Sequence, residues 1–478
     1  MGLPGSTLRG GRFLLCAALI LQVSQIAARA NPPPQYKSFK RDQKMQHSYQ
    51  EQDLMRIWMV YVGQGDGLIV QLPKKFNYQV GENGEAREER LDIMIDGGSF
   101  LTGDSRQMQT VIKQLYVGQT PTIEYAIITH HDKDHVKGLE LLLENDGIAV
   151  ETIFHNGLAS YRPGERGFPN TVPPELQRLM IYTEGNATLT RGMAFLEEDE
   201  VRVCSDYLIA NLEQLLDSYS SAELQGVYED LAEAVVGKTS PVRVREFLRA
   251  SVGAPFVMEH ESQQERGGPL TGLSLDLVWP TGELKKYGSS ASKAWGYTIN
   301  GNSLSFVLRY GEFEIFFTGD QNEESEAALI DYLGANHARL DCDVLKVPHH
   351  GSSHGIKEFF QWTDGEGKLH QPVLGICSMG EKGFSLEDGY KHPSNEAISW
   401  MGGAHRVYHT HIHERVFNWE TMSDAEMGEM IERRHVLVET DREWFRVVEV
   451  ELTHPDLNDP PTVEETRRGD GTWWIRAN

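Results

Sequence analysis

Cysteine is scarce in this chain, with four in 478 residues, at positions 16, 204, 342 and 377 with unrelated spacings. That excludes a disulfide framework, and any single bridge is expected between Cys342 and Cys377, which both flank strands of the C-terminal half. Basic residues are also few, 45 against 70 acidic ones, for a net charge of −25. Proteins that track phosphate backbones carry basic stripes, so this balance argues against long nucleic acids as substrates while leaving room for a local basic patch. Past residue 30 there is no apolar run of the roughly 20 residues a bilayer span needs. Repeats and low-complexity tracts are lacking. So is any strand–Gly-x-Ser-x-Gly–helix element, which disfavours a serine nucleophile.

The first thirty residues read as a signal peptide. Arg9 and Arg12 precede the apolar stretch Phe13 to Val23, and Ala28-Arg29-Ala30 supplies a small-x-small cleavage pattern. Asn31-Pro32-Pro33-Pro34 cannot continue a helix, which sets the expected mature start near Asn31. Removal of three arginines and no acidic residue takes the net charge to −28. Export to the periplasm or the medium is expected.

Residues 31–54 form a polar, proline-led leader, and order is expected from Met55. Ile57 to Val62 and Leu68 to Leu72 read as strands around the turn Gly63-Gln64-Gly65-Asp66-Gly67. Glu82 to Glu89 is a charged loop, and the strand Leu91 to Ile95 stops at Asp96-Gly97-Gly98. A helix over Ser105 to Tyr116 and a strand over Tyr125 to Thr129 follow. Alternating strands and helices argue for an α/β sandwich with one large core. Residues 55–160 are its first half and 267–453 its second. Between them, 161–266 reads as a mainly helical insertion and candidate cap, with helical periodicity in Tyr207 to Val236 and Val242 to Leu248. In the second half, Leu304 to Tyr310 and Glu314 to Thr318 read as a hairpin joined by Gly311-Glu312, and Val436 to Thr440 with Trp444 to Leu452 as a closing one. Residues 454–478 read as a tail.

The densest chemistry is Thr129-His130-His131-Asp132-Lys133-Asp134-His135, placed directly after an apolar strand and before Gly138 and a helical run. A strand end and a short loop present such side chains toward one point, and mixed imidazole and carboxylate donors suit zinc or a harder ion such as manganese. Adjacent residues of an extended segment point opposite ways, so one member of each pair His130/His131 and His349/His350 should face a metal.

The spacing His130-x-Asp132-x-Asp134-His135 resembles the ligand loop of the metallo-β-lactamase superfamily. With aspartate at position 132 it resembles the hydrolase domain of the competence protein ComEC, a DNA-uptake channel. Further segments match in order over roughly Met55 to Val407. They are Ile95-Asp96-Gly97-Gly98, Asn300-Gly301-Asn302-Ser303-Leu304, Phe317-Thr318-Gly319-Asp320, Val347-Pro348-His349-His350-Gly351-Ser352-Ser353, and Ser378-Met379-Gly380 with His392-Pro393. The resemblance implies a four-layer αββα sandwich and a hydrolase with two divalent ions, zinc or manganese. His130 and Asp132 would serve one ion, and Asp134, His135 and His349 the other. Asp320 would bridge them, and water held between ions roughly 3.5–4 Å apart would be the nucleophile.

This chain departs from the superfamily where a histidine usually precedes the Thr-Gly-Asp strand: Asn302, or Asn300, stands there. Asp96, His131, His155, Asn302 and His350 are therefore candidates for ligation or for orienting ligands, with a turn role as the alternative for His155. His392, His411 and His413 are candidate substrate contacts, the last two within the alternating run His409-Thr410-His411-Ile412-His413. Lys133 and Lys346 could meet an anionic leaving group, and Ser352 and Ser353 would close turn hydrogen bonds.

The first expectation is cleavage of a small or medium phosphodiester or related ester. A second is an extracytoplasmic nuclease, with a basic groove from Arg162, Arg166, Arg178 and Arg191. A lactam or lactone hydrolase ranks third, and a metal-stabilised binding protein without turnover is the non-enzymatic alternative.

Overall fold

This computed structural model describes residues 50, 53–73, 78–79, 88–89, 92–99, 102–116, 120–144, 147–156, 159–161, 180–182, 192–194, 230–231, 234, 243–246, 272–281, 285, 287–288, 291–334, 340–380, 392–403, 406–411, 433–451 and 474–477. The expected signal segment, the four insertion arginines, Cys204 and His413 lie outside the described residues, as does nearly all of Tyr207 to Val236.

The chain opens with β1 (Met55–Met59) and β2 (Leu68–Gln71), paired antiparallel with Met59 opposite Leu68. The assigned first strand is shorter than its apolar run: Val60 N still donates to Gly67 O at 2.8 Å, and beyond that pair Asp66 engages Lys346 and Ser378 of the second half. Next come β3 (Asp92–Ile95), α1 (Thr102–Leu115), β4 (Thr122–Ile127), α2 (Lys133–Leu143) and β5 (Ala149–His155), with β3, β4 and β5 parallel. A short strand, β6 (Arg243–Glu246), joins the edge parallel to β5. The helical reading of Val242 to Leu248 is thus corrected. Arg243-Val244-Arg245 alternates with period two, which suits a strand. Across the start of the insertion, 159–161, 180–182 and 192–194 also pair, as a separate three-stranded sheet. Part of the charged loop pairs as well, Glu88–Glu89 against Tyr78–Gln79.

The second half supplies β7 (Leu273–Trp279), α3 (Ala291–Gly301), β8 (Ser305–Tyr310), β9 (Phe313–Phe317), α4 (Glu323–Leu333), β10 (Val344–Lys346), β11 (Leu374–Cys377), α5 (Asn395–Trp400) and β12 (Val407–His409). The β8–β9 turn is Gly311-Glu312 as expected, with Gly311 at φ 66°, a conformation glycine adopts without steric cost. The closing hairpin of β13 (Arg434–Thr440) and β14 (Trp444–Glu451) returns to the first sheet. The expected tail ends as a strand, β15 (Ile475–Arg476), paired to Trp444 and Phe445. Burial explains this correction, since Trp474 is buried beneath Arg446 and Ala477 reaches the central core.

Two sheets result, of nine strands (β6-β5-β4-β3-β2-β1-β13-β14-β15) and six strands (β7-β8-β9-β10-β11-β12). Their packing follows from alternation along each strand. Met55, Ile57 and Met59 of β1 meet Phe306, Leu308 and Tyr310 of β8 in a core between the sheets. Trp58 turns the other way, into a layer with Met108 of α1 and Leu139 of α2. Val307 and Phe316 likewise face Leu329 and Leu333 of α4. Each sheet is therefore apolar on both faces, and the order of layers is helix, sheet, sheet, helix: the αββα sandwich. Cys342 and Cys377 are free thiols in the helical layer behind the second sheet, so the expected bridge between them is absent. They pack there as small apolar residues. Among the described residues no helix is long and apolar enough to cross a membrane.

Candidate metal centre

The carboxyl ends of parallel strands from both sheets meet on one side of the sandwich, where open α/β sheets place their ligands. β3 delivers Asp96, β4 delivers Thr129 and His130, β9 delivers Asp320, β10 delivers Lys346 and, just beyond, His350, and β11 delivers Ser378. The halves are joined here by the backbone bond from Leu304 N to Thr129 O, 2.8 Å.

Helix α2 begins at the ligand loop, with Asp132 as its extended N-cap and Asp134 and His135 in its first turn. Its first turn can approach β3 because Gly138 has no side chain, since a Cβ there would lie 1.6 Å from Gly97 O. His135 N donates to Asp132 O at 3.0 Å, and Gly97 N donates to His135 O at 2.6 Å, which locks the turn to the end of β3.

Asp320 takes the central place. Its Oδ2 is 3.2 Å from His135 Nε2, 3.3 Å from His350 Nε2 and 3.8 Å from His349 Nε2. His130 packs against His135 with ring centroids 4.0 Å apart, and His350 Nε2 is 3.7 Å from Asp134 Oδ2. Ligand atoms of His130, His135 and Asp320 lie within 4.8 Å of one another, and so do those of Asp134, His135 and His350. Asp132 is more exposed, with Oδ2 3.8 Å from His130 Nε2.

The imidazoles are held from behind. Asp96 accepts from Thr129 N at 2.8 Å and Thr129 Oγ1 at 2.7 Å, and its Oδ2 is 2.8 Å from His135 Nδ1. His350 Nδ1 lies 3.1 Å from Ser378 Oγ and 3.4 Å from Asp66 Oδ1. His130 Nδ1 lies 3.1 Å from Thr129 Oγ1 and 3.3 Å from Ser303 Oγ. With Nδ1 engaged in each case, Nε2 is the nitrogen turned to the cluster, the arrangement that orients metal-binding histidines.

These residues fit a divalent ion. The Nε2 atoms of His130, His135 and His350 and Oδ1 of Asp320 are buried and make no hydrogen bond. Buried polar atoms ordinarily find partners, and imidazole nitrogens with carboxylate oxygens are the donors that such ions take. The electrostatics agree. Burial alone would depress His135 and His350, yet Asp320 with Asp96, and Asp320 with Asp66, hold them well above the ordinary imidazole value. Burial would raise Asp320, and the surrounding histidines, His350 first, hold it well below the carboxylate range instead. His130 is pushed well down by burial and by His135.

The other expected residues sort by position. Of the His349/His350 pair, the structure brings His350 inward; His349 is partly exposed and lies 3.5 Å from Asn300 Nδ2 through its Nε2. Both hold positive φ, 46° and 52°, a strained pair of non-glycine residues of the sort found at functional sites. His392 is close, with its ring 5.5 Å from that of His349. His131 is buried, and no ligand set of the cluster includes it. Asn302 is a structural clamp: its amide bonds Lys285 N and O and Thr298 O at 2.9, 2.7 and 2.7 Å, so its candidacy as a ligand is corrected. His411 is buried with its ring stacked on Tyr61 at 5.7 Å. Ser352 accepts from His354 N at 3.2 Å, a turn bond as expected. Lys133 is exposed, whereas Lys346 is buried against Asp66, and that engagement corrects its expected contact with a leaving group.

Asp66, Thr129 and Ser303 hold the cluster's imidazoles and carboxylates by hydrogen bonds and ion pairs, roles that the sequence alone does not mark. In the sequence Asp66 is part of a glycine-rich turn. The available signal was a carboxylate between two apolar strands, where a solvated turn residue is out of place.

No protein-family model and no curated protein matches the chain. Similar solved structures include the metallo-beta-lactamase SMB-1 bound to 2-mercaptoethanesulfonate, at 10% identity and TM-score 0.24, covering 61% of this chain and 79% of that one. A beta-lactamase domain protein from Burkholderia ambifaria is similar at 12% identity and TM-score 0.28, over 63% of this chain and 66% of that one. SMB-1 in a complex with mercaptoacetic acid is similar at 10% identity and TM-score 0.22, over 62% and 79%.

Proposed function

We propose that this chain is a metal-dependent hydrolase that holds two divalent ions, zinc or manganese, and cleaves a phosphodiester or related ester. The observation that carries this reading is the convergence of three buried, unbonded Nε2 atoms on Asp320, each imidazole held from behind through Nδ1. Bound ions would polarise the scissile ester and acidify a water. The chain's own residues do the rest. Asp96 and Asp66 orient His135 and His350, while Asp134 and Asp320 would help hold bound ions and offset their charge. His349, which is partly exposed, and His392, whose ring lies 5.5 Å from it, are the candidate substrate contacts. The net charge of −25 favours a modest-sized substrate over a nucleic acid, and export follows from the N-terminal segment.

The test is to measure ions per chain and hydrolysis together, for wild type and Asp320→Ala, with zinc or manganese against a phosphodiester dye, single-stranded DNA and a β-lactam. Metal-dependent cleavage of the dye, lost in the variant, is expected. Full metal occupancy without turnover on any substrate would move the assignment to a metal-stabilised binding protein.

A further inference from the structure

A third set of potential ligands overlaps the centre: Asp66, Asp320 and His350 are all buried, with ligand atoms within 4.8 Å of one another. This set has an occupant of its own. Lys346, at the end of β10 and 1% exposed, pairs its Nζ with Asp66 Oδ2, donates to Gly319 O at 2.9 Å and lies 3.6 Å from Asp320 Oδ1. Ser378 Oγ donates to Asp66 Oδ1 on the other side. Both oxygens of Asp66 are therefore engaged by protein groups.

We propose that Lys346 is the resident cation of this third set, its ammonium taking the place between Asp66 and Asp320 that a divalent ion would otherwise fill, so that the centre is limited to two ions. The inference rests on the metal-centre reading above.

Two physical arguments support it. The first is charge. The cluster holds four buried carboxylates, Asp66, Asp96, Asp134 and Asp320, with the more exposed Asp132 at its edge, and two divalent ions with one lysine balance these charges without a third ion. Buried charge is tolerated only when paired. The second is geometry. An ammonium near Oδ1 of Asp320 leaves Oδ2 to face His135 and His350. It also holds Asp66 beside His350 Nδ1 whether or not ions are bound. Lys346 is thus a positioning residue, tethered through a central strand and independent of metal supply.

The experiment is a metal titration of the full chain, by calorimetry and by metal analysis after gel filtration, using manganese and then zinc. Wild type is compared with Lys346→Ala, Lys346→Arg and the doubly neutral Asp66→Asn/Lys346→Met. Lys346→Ala should bind one ion more per chain than wild type and show an added metal-dependent rise in Tm. Lys346→Arg and the double variant should match the wild-type count. If Lys346→Ala folds but keeps the wild-type stoichiometry and affinity, the proposal fails. Should it not fold, the double variant decides: the wild-type count supports the proposal, and an additional ion overturns it. A wild-type chain that binds no ion at all sinks the metal-centre reading itself, and this inference with it.

Discussion

Asp96 Oδ2 and His135 Nδ1 are 2.8 Å apart, and the pair links the end of β3 to the first turn of α2. Asp96 sits at φ 54°, where asparagine is tolerated as readily as aspartate. Asp96→Asn should therefore keep the backbone and the bond from Thr129 N while removing the charge behind His135. Loss of such a partner costs about 10- to 100-fold in metal affinity. Calorimetric titration should show that loss with little change in secondary structure, and an unchanged affinity would contradict the orienting role.

His350 and His349 give a second contrast. His350→Ala removes an inward Nε2 and leaves Asp66 and Asp134 facing a void, so at least one ion per chain should be lost. His349→Ala should retain the metal content and lower turnover. Metal analysis of the two purified variants checks this, and equal metal loss in both would count against the assignment of His350.

Gly138→Ala tests the close approach of α2 to β3. A methyl group 1.6 Å from Gly97 O cannot be accommodated without moving the helix. Overpacking of this kind costs on the order of 3 kcal/mol. Since Asp134 and His135 ride on the same turn, metal affinity should fall with Tm. A variant of unchanged stability would mean that the helix has room to shift.

Acid should destabilise the fold apart from any metal. Burial lowers His435 to about 4, and burial together with His155 lowers His131 to about 4, from 6.5. Between those values the unfolded chain binds more protons than the folded one, so stability rises with pH. It is fully present above pH 6.5 and is lost as pH falls toward 4. Each group accounts for roughly 3 kcal/mol of this at neutral pH. His435 Nδ1 accepts from Tyr61 N at 3.0 Å, so His435→Asn keeps an acceptor without the titration. Denaturant midpoints from pH 4 to 7 should slope less steeply in that variant, and identical slopes would exclude His435 as a contributor.

Much of the architecture was legible before the structure. Strand alternation and the turn at Gly311-Glu312 set the β8–β9 hairpin, and a histidine- and aspartate-rich loop between an apolar strand and a helix marked the ligand-bearing segment. The errors share one cause. Helical spacing runs through Val242 to Leu248 although Arg243–Glu246 is an edge strand, and the expected tail closes the sheet through Trp474. Short segments at sheet edges are decided by what they pair with, and local pattern does not name the partner.

The same division holds at the centre. Residue types alone mark which segments carry candidate ligand chemistry, because imidazole and carboxylate groups clustered at apolar strand ends have few other uses. Packing sets the rest: His350 turns inward, Asn302 clamps backbone, and Asp66, more than 270 residues from Lys346, shares a buried ion pair with it. These outcomes depend on where strand ends from two sheets meet in space, and a side chain's direction and its distant partner are properties of that packing.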